Sequence, residues 1–117
     1  VDSAGVAVKA ALLNIAAIRE DVVELEDQKL YVREIGTLEF AEYGRLLKAN
    51  RVKATAMLIA ACVIDGPGGN PVFTNAEEAE PIAKSARASM PILNKVMRLS
   101  GFKSDDKDDD EKEPDAS

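Results

Sequence analysis

Arg51-Val52-Lys53-Ala54-Thr55-Ala56-Met57-Leu58-Ile59-Ala60-Ala61-Cys62-Val63-Ile64-Asp65-Gly66 is the stretch on which the fold turns. Residues 51–61 are rich in alanine, set Met57, Leu58 and Ile59 side by side, and are apolar nearly all round, the composition of a helix at the centre of a core. Val63 and Ile64 lead from it into the turn formers Asp65-Gly66-Pro67-Gly68-Gly69-Asn70, and Pro71-Val72-Phe73-Thr74 resumes an apolar run, so a short hairpin should follow the helix. Glycines 66, 68 and 69 invite comparison with a phosphate loop. Such a loop continues into Gly-Lys-Ser/Thr and a helix, whereas Asn70-Pro71 and a strand follow here, so a plain turn is expected.

A buried central helix needs neighbours, and the flanking sequence supplies them. Just upstream, residues 38–50 put Phe40, Tyr43 and Leu47 on one face and Glu42 and Arg45 on the other, a surface helix that Thr37 can cap. Before it, Val23 and Leu25 alternate with Glu24 and Glu26, Asp27-Gln28 signals a turn, and Leu30-Tyr31-Val32-Arg33-Glu34-Ile35 favours a strand, which together read as a β-hairpin. Residues 5–18 predict a first helix, capped by Asp2-Ser3, with Val8, Leu12, Ile15 and Ala16 near helical spacing.

Downstream, Asn75 and Glu78 have capping-box spacing, so a short acidic helix should begin at Ala76 and break near Glu80-Pro81. A last helix is expected over residues 90–100, with Pro91 in its first turn and Met90, Leu93, Val96 and Met97 on one face. Gly101 stands where a C′ glycine belongs, and Phe102 can fold back onto Met97 in a Schellman stop. The predicted architecture is α+β and mainly α: four to five helices and two short β-hairpins in a single small domain over residues 1–102.

Residues 103–117 hold eight acidic side chains and three lysines, a net −5 out of −6 for the 117-residue chain. With only Pro114 and Ala116 to bury, this segment is expected to be a disordered acidic tail. The body is left nearly neutral, without the basic excess that nucleic-acid binding needs. A hydrophobic content of 46% without Trp, and with few aromatics, suits a core of Ala, Val, Leu, Ile and Met. Helix packing accepts such a core better than a β-sandwich does. The longest apolar run, residues 54–64, is too short to span a bilayer, and the N-terminal stretch has no basic n-region. Together with a lone Cys62, these features predict a soluble, cytoplasmic protein without disulfides.

Chemistry has little to work with. The chain has no histidine, which removes the usual general base near neutral pH and the commonest metal ligand. Cys62 lies in an apolar run where a thiol acts as a small hydrophobe. The carboxylate groupings Glu24/Glu26, Glu39/Glu42 and Glu77/Glu78/Glu80 fit solvated faces and helix first turns. Asp105 to Glu111 lacks the glycine and alternation of a calcium loop. No enzyme, cofactor or metal is expected.

The order of these features, from Lys29-Leu30-Tyr31-Val32-Arg33-Glu34-Ile35 through Ala56 to Gly66 and Pro71-Val72-Phe73-Thr74 to Val96-Met97-Arg98-Leu99-Ser100-Gly101-Phe102, resembles the tail assembly chaperones of lambda-like siphophages over residues 20–102. The loop of residues 65–71 is longer and richer in glycine than that family's turn. The resemblance implies a protein of the infected bacterial cytoplasm that binds the tape measure protein, keeps its hydrophobic helices soluble, helps recruit tail tube subunits, and is missing from the mature virion. It also implies a longer form made by ribosomal frameshifting, with the acidic tail as the join. A near-neutral body permits a homo-oligomer. Met90, Leu93, Met97, Leu99 and Phe102 are the candidate protein-interaction residues, although the same spacing fits a core stripe. The alternative is a structural tail or head-tail connector protein of the virion.

Overall fold

The computed structural model describes residues 3–102, and the acidic segment 103–117 lies outside the described residues. The elements in order are α1 (Ser3–Ala16), β1 (Glu20–Leu25), β2 (Gln28–Arg33), α2 (Thr37–Ala49), α3 (Arg51–Cys62), β3 (Val63–Ile64), α4 (Ala76–Ala83) and α5 (Ala86–Leu99). The five helices and the three-stranded antiparallel sheet, ordered β1-β2-β3, form the mainly helical α+β domain that the sequence predicts.

Helix α3 is central. Ala54, Ala56, Leu58, Ile59 and Cys62 are fully buried, and α3 packs against α2, α4 and α5. Asn50 fixes where it starts, serving as the whole link between two helices: its N–H donates to the Leu46 carbonyl at the end of α2, while its side chain accepts from the Lys53 N–H at 3.1 Å. At the other end the chain passes from Cys62 directly into β3. Helix α5 packs on both hairpin strands and on α3, so it joins the sheet to the helical layer.

The first hairpin pairs Leu25 with Gln28 around a two-residue turn. Glu26 and Asp27 have φ of 46° and 72°, the left-handed pair of a type I′ turn, whose twist matches that of the strands. The turn therefore sits one residue earlier than Asp27-Gln28. In the second hairpin, β3 pairs with β2, and the return arm contracts to one bridge between Ile64 and Pro71. The Asp65 N–H donates to the Asn70 carbonyl at 2.9 Å and the Val72 N–H to the Val63 carbonyl at 3.1 Å on either side of that bridge. Glycine is required at 69, where a Cβ would lie 2.0 Å from Asp65 Oδ1, and that carboxylate accepts the Asn70 N–H.

Four helix boundaries differ from expectation. Helix α1 spans Ser3–Ala16, ending before residues 17 and 18, and Asp2 of its expected cap lies outside the described residues. Helix α2 takes Gly36, not Thr37, as its N-cap, with the Glu39 carboxylate accepting the Gly36 N–H. Helix α4 runs through Pro81 to Ala83, losing one backbone bond but held by its Asn75 cap and by Ala79, which is fully buried. Helix α5 begins at Ala86 because the Ser85 hydroxyl caps it, accepting from the Ala88 N–H at 3.2 Å. Pro91 therefore lies inside the helix and not in its first turn. The α5 stop is a full Schellman motif: Phe102 N–H donates to Met97 O at 2.9 Å, Gly101 N–H to Arg98 O at 3.1 Å, and Gly101 has φ +93°.

Candidate functional site

The thiol and several carboxylates of the body serve the fold. Cys62 is fully buried, and desolvation pushes its thiol up to about 12, so little nucleophilic thiolate exists near neutral pH. Glu39 reaches back to the Gly36 N–H at 3.1 Å and pairs with Arg33 at 3.2 Å. Glu42 pairs with Arg45, and this hydrogen bond holds its carboxyl below the ordinary range. Glu78 accepts from both the N–H and the hydroxyl of Thr74, each at 2.9 Å, which lowers its pKa in the same way. In the glycine loop the Gly68 N–H donates to the Glu20 carboxylate at 2.9 Å, so an acid of the chain itself occupies a donor that a phosphate would use. Among the described residues no group of three His, Cys, Asp or Glu side chains is placed to hold a metal ion, and no helix is long and apolar enough to cross a membrane.

The five interaction candidates of α5 and its stop do not share one environment. The buried stripe of the helix is Ser89, Ile92 and Val96, one step round from the expected face. Leu93, Met97 and Leu99 flank it, half-buried against the core, while Met90 is exposed. Phe102 is partly exposed and stacks on Phe40 with ring centroids 4.6 Å apart. The end of α5 is also tied down by Ser100, whose hydroxyl accepts the Ile35 N–H at 3.0 Å and donates to the Val96 carbonyl at 2.7 Å. Of the five, Met90 and Phe102 are the most exposed, at 45% and 42%.

The larger apolar surface is on α1. Every residue from Ala4 to Asp21 is exposed, and Val6, Val8, Leu12, Leu13, Ile15 and Ile18 each keep 58–63% of their surface open to solvent. The helix has no acid in its first turn and no base in its last, and its single charge is Lys9. An isolated helix of 14 residues is marginal in water, and one apolar nearly all round gains its stability from burial. Six exposed aliphatic side chains on and just after one short helix therefore mark a surface made to be covered. The spacing of Val8, Leu12 and Ile15 shows the helix in the sequence. Its exposure has no local signal, because a core helix carries the same spacing.

No protein-family model matches the sequence, and no curated protein sequence matches it. Comparison with solved structures finds the tail assembly chaperone of bacteriophage HK97, which shares the fold with a TM-score of 0.59 at 18% identity. The correspondence covers 86% of this chain and 99% of that one.

Proposed function

We propose that the chain is a tail assembly chaperone of a long-tailed bacteriophage. In this reading it binds the tape measure protein in the cytoplasm of the infected bacterium, keeps that protein's long hydrophobic helices soluble, and helps recruit tail tube subunits. It acts without catalysis and is not retained in the mature virion. A homo-oligomer and a frameshifted longer product, joined through the segment after Phe102, belong to the same reading.

The observation that carries the proposal is the end-to-end correspondence of fold with a tail assembly chaperone. The exposed apolar helix α1 supports it on physical grounds, since a chaperone of hydrophobic helices needs apolar surface that its own core does not consume. Co-expression with a phage tape measure protein is the test. A soluble, co-purifying complex is expected. An insoluble partner with no recoverable complex overturns the reading, as do abundant peptides of this chain in purified particles.

A further inference from the structure

Charge is matched unevenly across the body. Arg33 pairs with Glu39, Arg45 with Glu42, Arg87 with Glu26 and Lys95 with Asp21, and Lys29 stands opposite Glu24 in the hairpin. The corner where α2 meets α3 lacks such acids. Lys48 in the last turn of α2 and Arg51 and Lys53 at the start of α3 are exposed, and none of the ion pairs among the described residues includes them. Residues 43–64 contain no Asp or Glu, and Glu42 just before them is taken up by Arg45. Three cations within six residues are thus left to solvent or to an anion from elsewhere.

The acidic segment of the same chain begins close to this corner. The Phe102 ring stacks on Phe40 at 4.6 Å and Phe40 on Tyr43 at 6.3 Å, so the chain leaves the fold on the flank of α2. Lys48 lies about 12 Å further along that helix at 1.5 Å per residue. Arg51 is near enough for its charge to act on the Tyr43 hydroxyl, against the burial that raises its pKa. Residues 103–108, extended, span up to about 20 Å, which brings the run Asp105 to Glu111 within reach of all three cations. We infer that the α2–α3 corner is a docking surface for an acidic peptide, and that residues 105–111 of this chain occupy it, their carboxylates accepting from Lys48, Arg51 and Lys53. One exposed ion pair is weak, but a short tether supplies an effective concentration on the order of mM, at which several such pairs hold together. An acidic segment of any partner must then displace the chain's own. The inference takes nothing from the chaperone reading and stands or falls apart from it.

Paramagnetic broadening in the full chain tests the docking. Lys107→Cys takes a nitroxide label, while Cys62, buried and with its thiol pushed up to about 12, stays unlabelled. The amides of residues 48–53 are expected to broaden in about 0.1 M salt, and the effect should fall at least about two-fold in about 1 M, where the Debye length shrinks to ~3 Å. Arg51→Glu combined with Lys53→Glu puts acids where the α3 dipole favours them, so the helix is kept, and should remove the same excess broadening at low salt. Broadening that is equal in both salts, or indifferent to the double substitution, is that of a tether without attraction and overturns the docking. So does broadening centred on Arg19 or Arg98 in place of the corner. In a mixture of isotope-labelled chain without nitroxide and nitroxide-labelled chain without isotope, residues 48–53 should stay sharp; broadening as strong as in the single chain gives the corner to the acidic segment of a second copy and overturns the contact within one chain. Amides 48–53 that ignore the label but shift with added duplex DNA overturn it in favour of a nucleic acid.

Discussion

Helices α1 and α3 are built from similar residues. Both are rich in alanine, carry a cluster of large aliphatic side chains, and have little charge beyond Lys9 in one and Arg51 and Lys53 in the other. Yet Leu58 and Ile59 are fully buried while Leu12 and Leu13 are about 60% exposed. The difference is one of connections. Asn50 and β3 fix α3 at both ends, and α2, α4 and α5 close over it, whereas α1 precedes the hairpin and no residue from 4 to 21 is covered. Apolar composition thus states that a helix must be buried, and its place in the chain decides whether the burial is internal.

The sharpest way to break this comparison is to truncate both helices. Leu58→Ala or Ile59→Ala leaves a cavity in the centre of the domain and should cost about 3 kcal/mol in urea unfolding. Leu12→Ala or Leu13→Ala, measured on dilute chain, should change stability by no more than about 0.5 kcal/mol. A loss of comparable size at Leu13 would mean that α1 packs on its own domain in solution. The ends of α3 give a smaller effect: Asn50→Ala removes the side-chain cap and should cost about 1 kcal/mol, with α3 amides nearest Lys53 exchanging first.

How far the sequence could be read follows the same division. The β1/β2 hairpin, α3 and the Schellman stop at Gly101 were legible because each is set by residues within one or two turns of itself. Helix α5 was legible as a helix but not in register. Its two possible stripes share Val96, and the choice of Ile92 over Met90 depends on Ser85 starting the helix early and on the sheet it must cover. In α1 the stripe was visible and its exposure was not, since exposure is a property of everything that fails to cover it. The hairpin turn marks the limit of local reading from the other side. Glu26 and Asp27 occupy left-handed conformations, which are costly for a glutamate above all. The double substitution Glu26→Asn with Asp27→Gly supplies the pair that a type I′ turn favours. It should therefore raise stability by about 0.5–1 kcal/mol in the same unfolding assay.

The smallest effect concerns the seam between the sheet and α5, where a partly exposed ion pair adds to the packing of Val23, Val32, Ile92 and Val96. Asp21 accepts the Val22 N–H at 2.7 Å and the Lys95 ammonium at 3.1 Å, and the backbone bond first, then the lysine, hold its carboxyl below the ordinary aspartate range. A carboxyl depressed in the folded state binds protons more readily when the chain is unfolded, so its contribution is present above the unfolded value, near pH 4, and is lost as pH falls through the folded one. Unfolding midpoints of the wild type and Asp21→Asn should therefore differ at neutral pH and converge on acidification below about pH 4. The same titration of a Leu13→Ala chain should run parallel to wild type, because α1 contributes no titrating group in that window. Parallel curves for Asp21→Asn as well would mean that the Asp21–Lys95 pair does not hold the hairpin to α5, and that the sheet is carried by the packing of Val23, Val32 and Val96 alone.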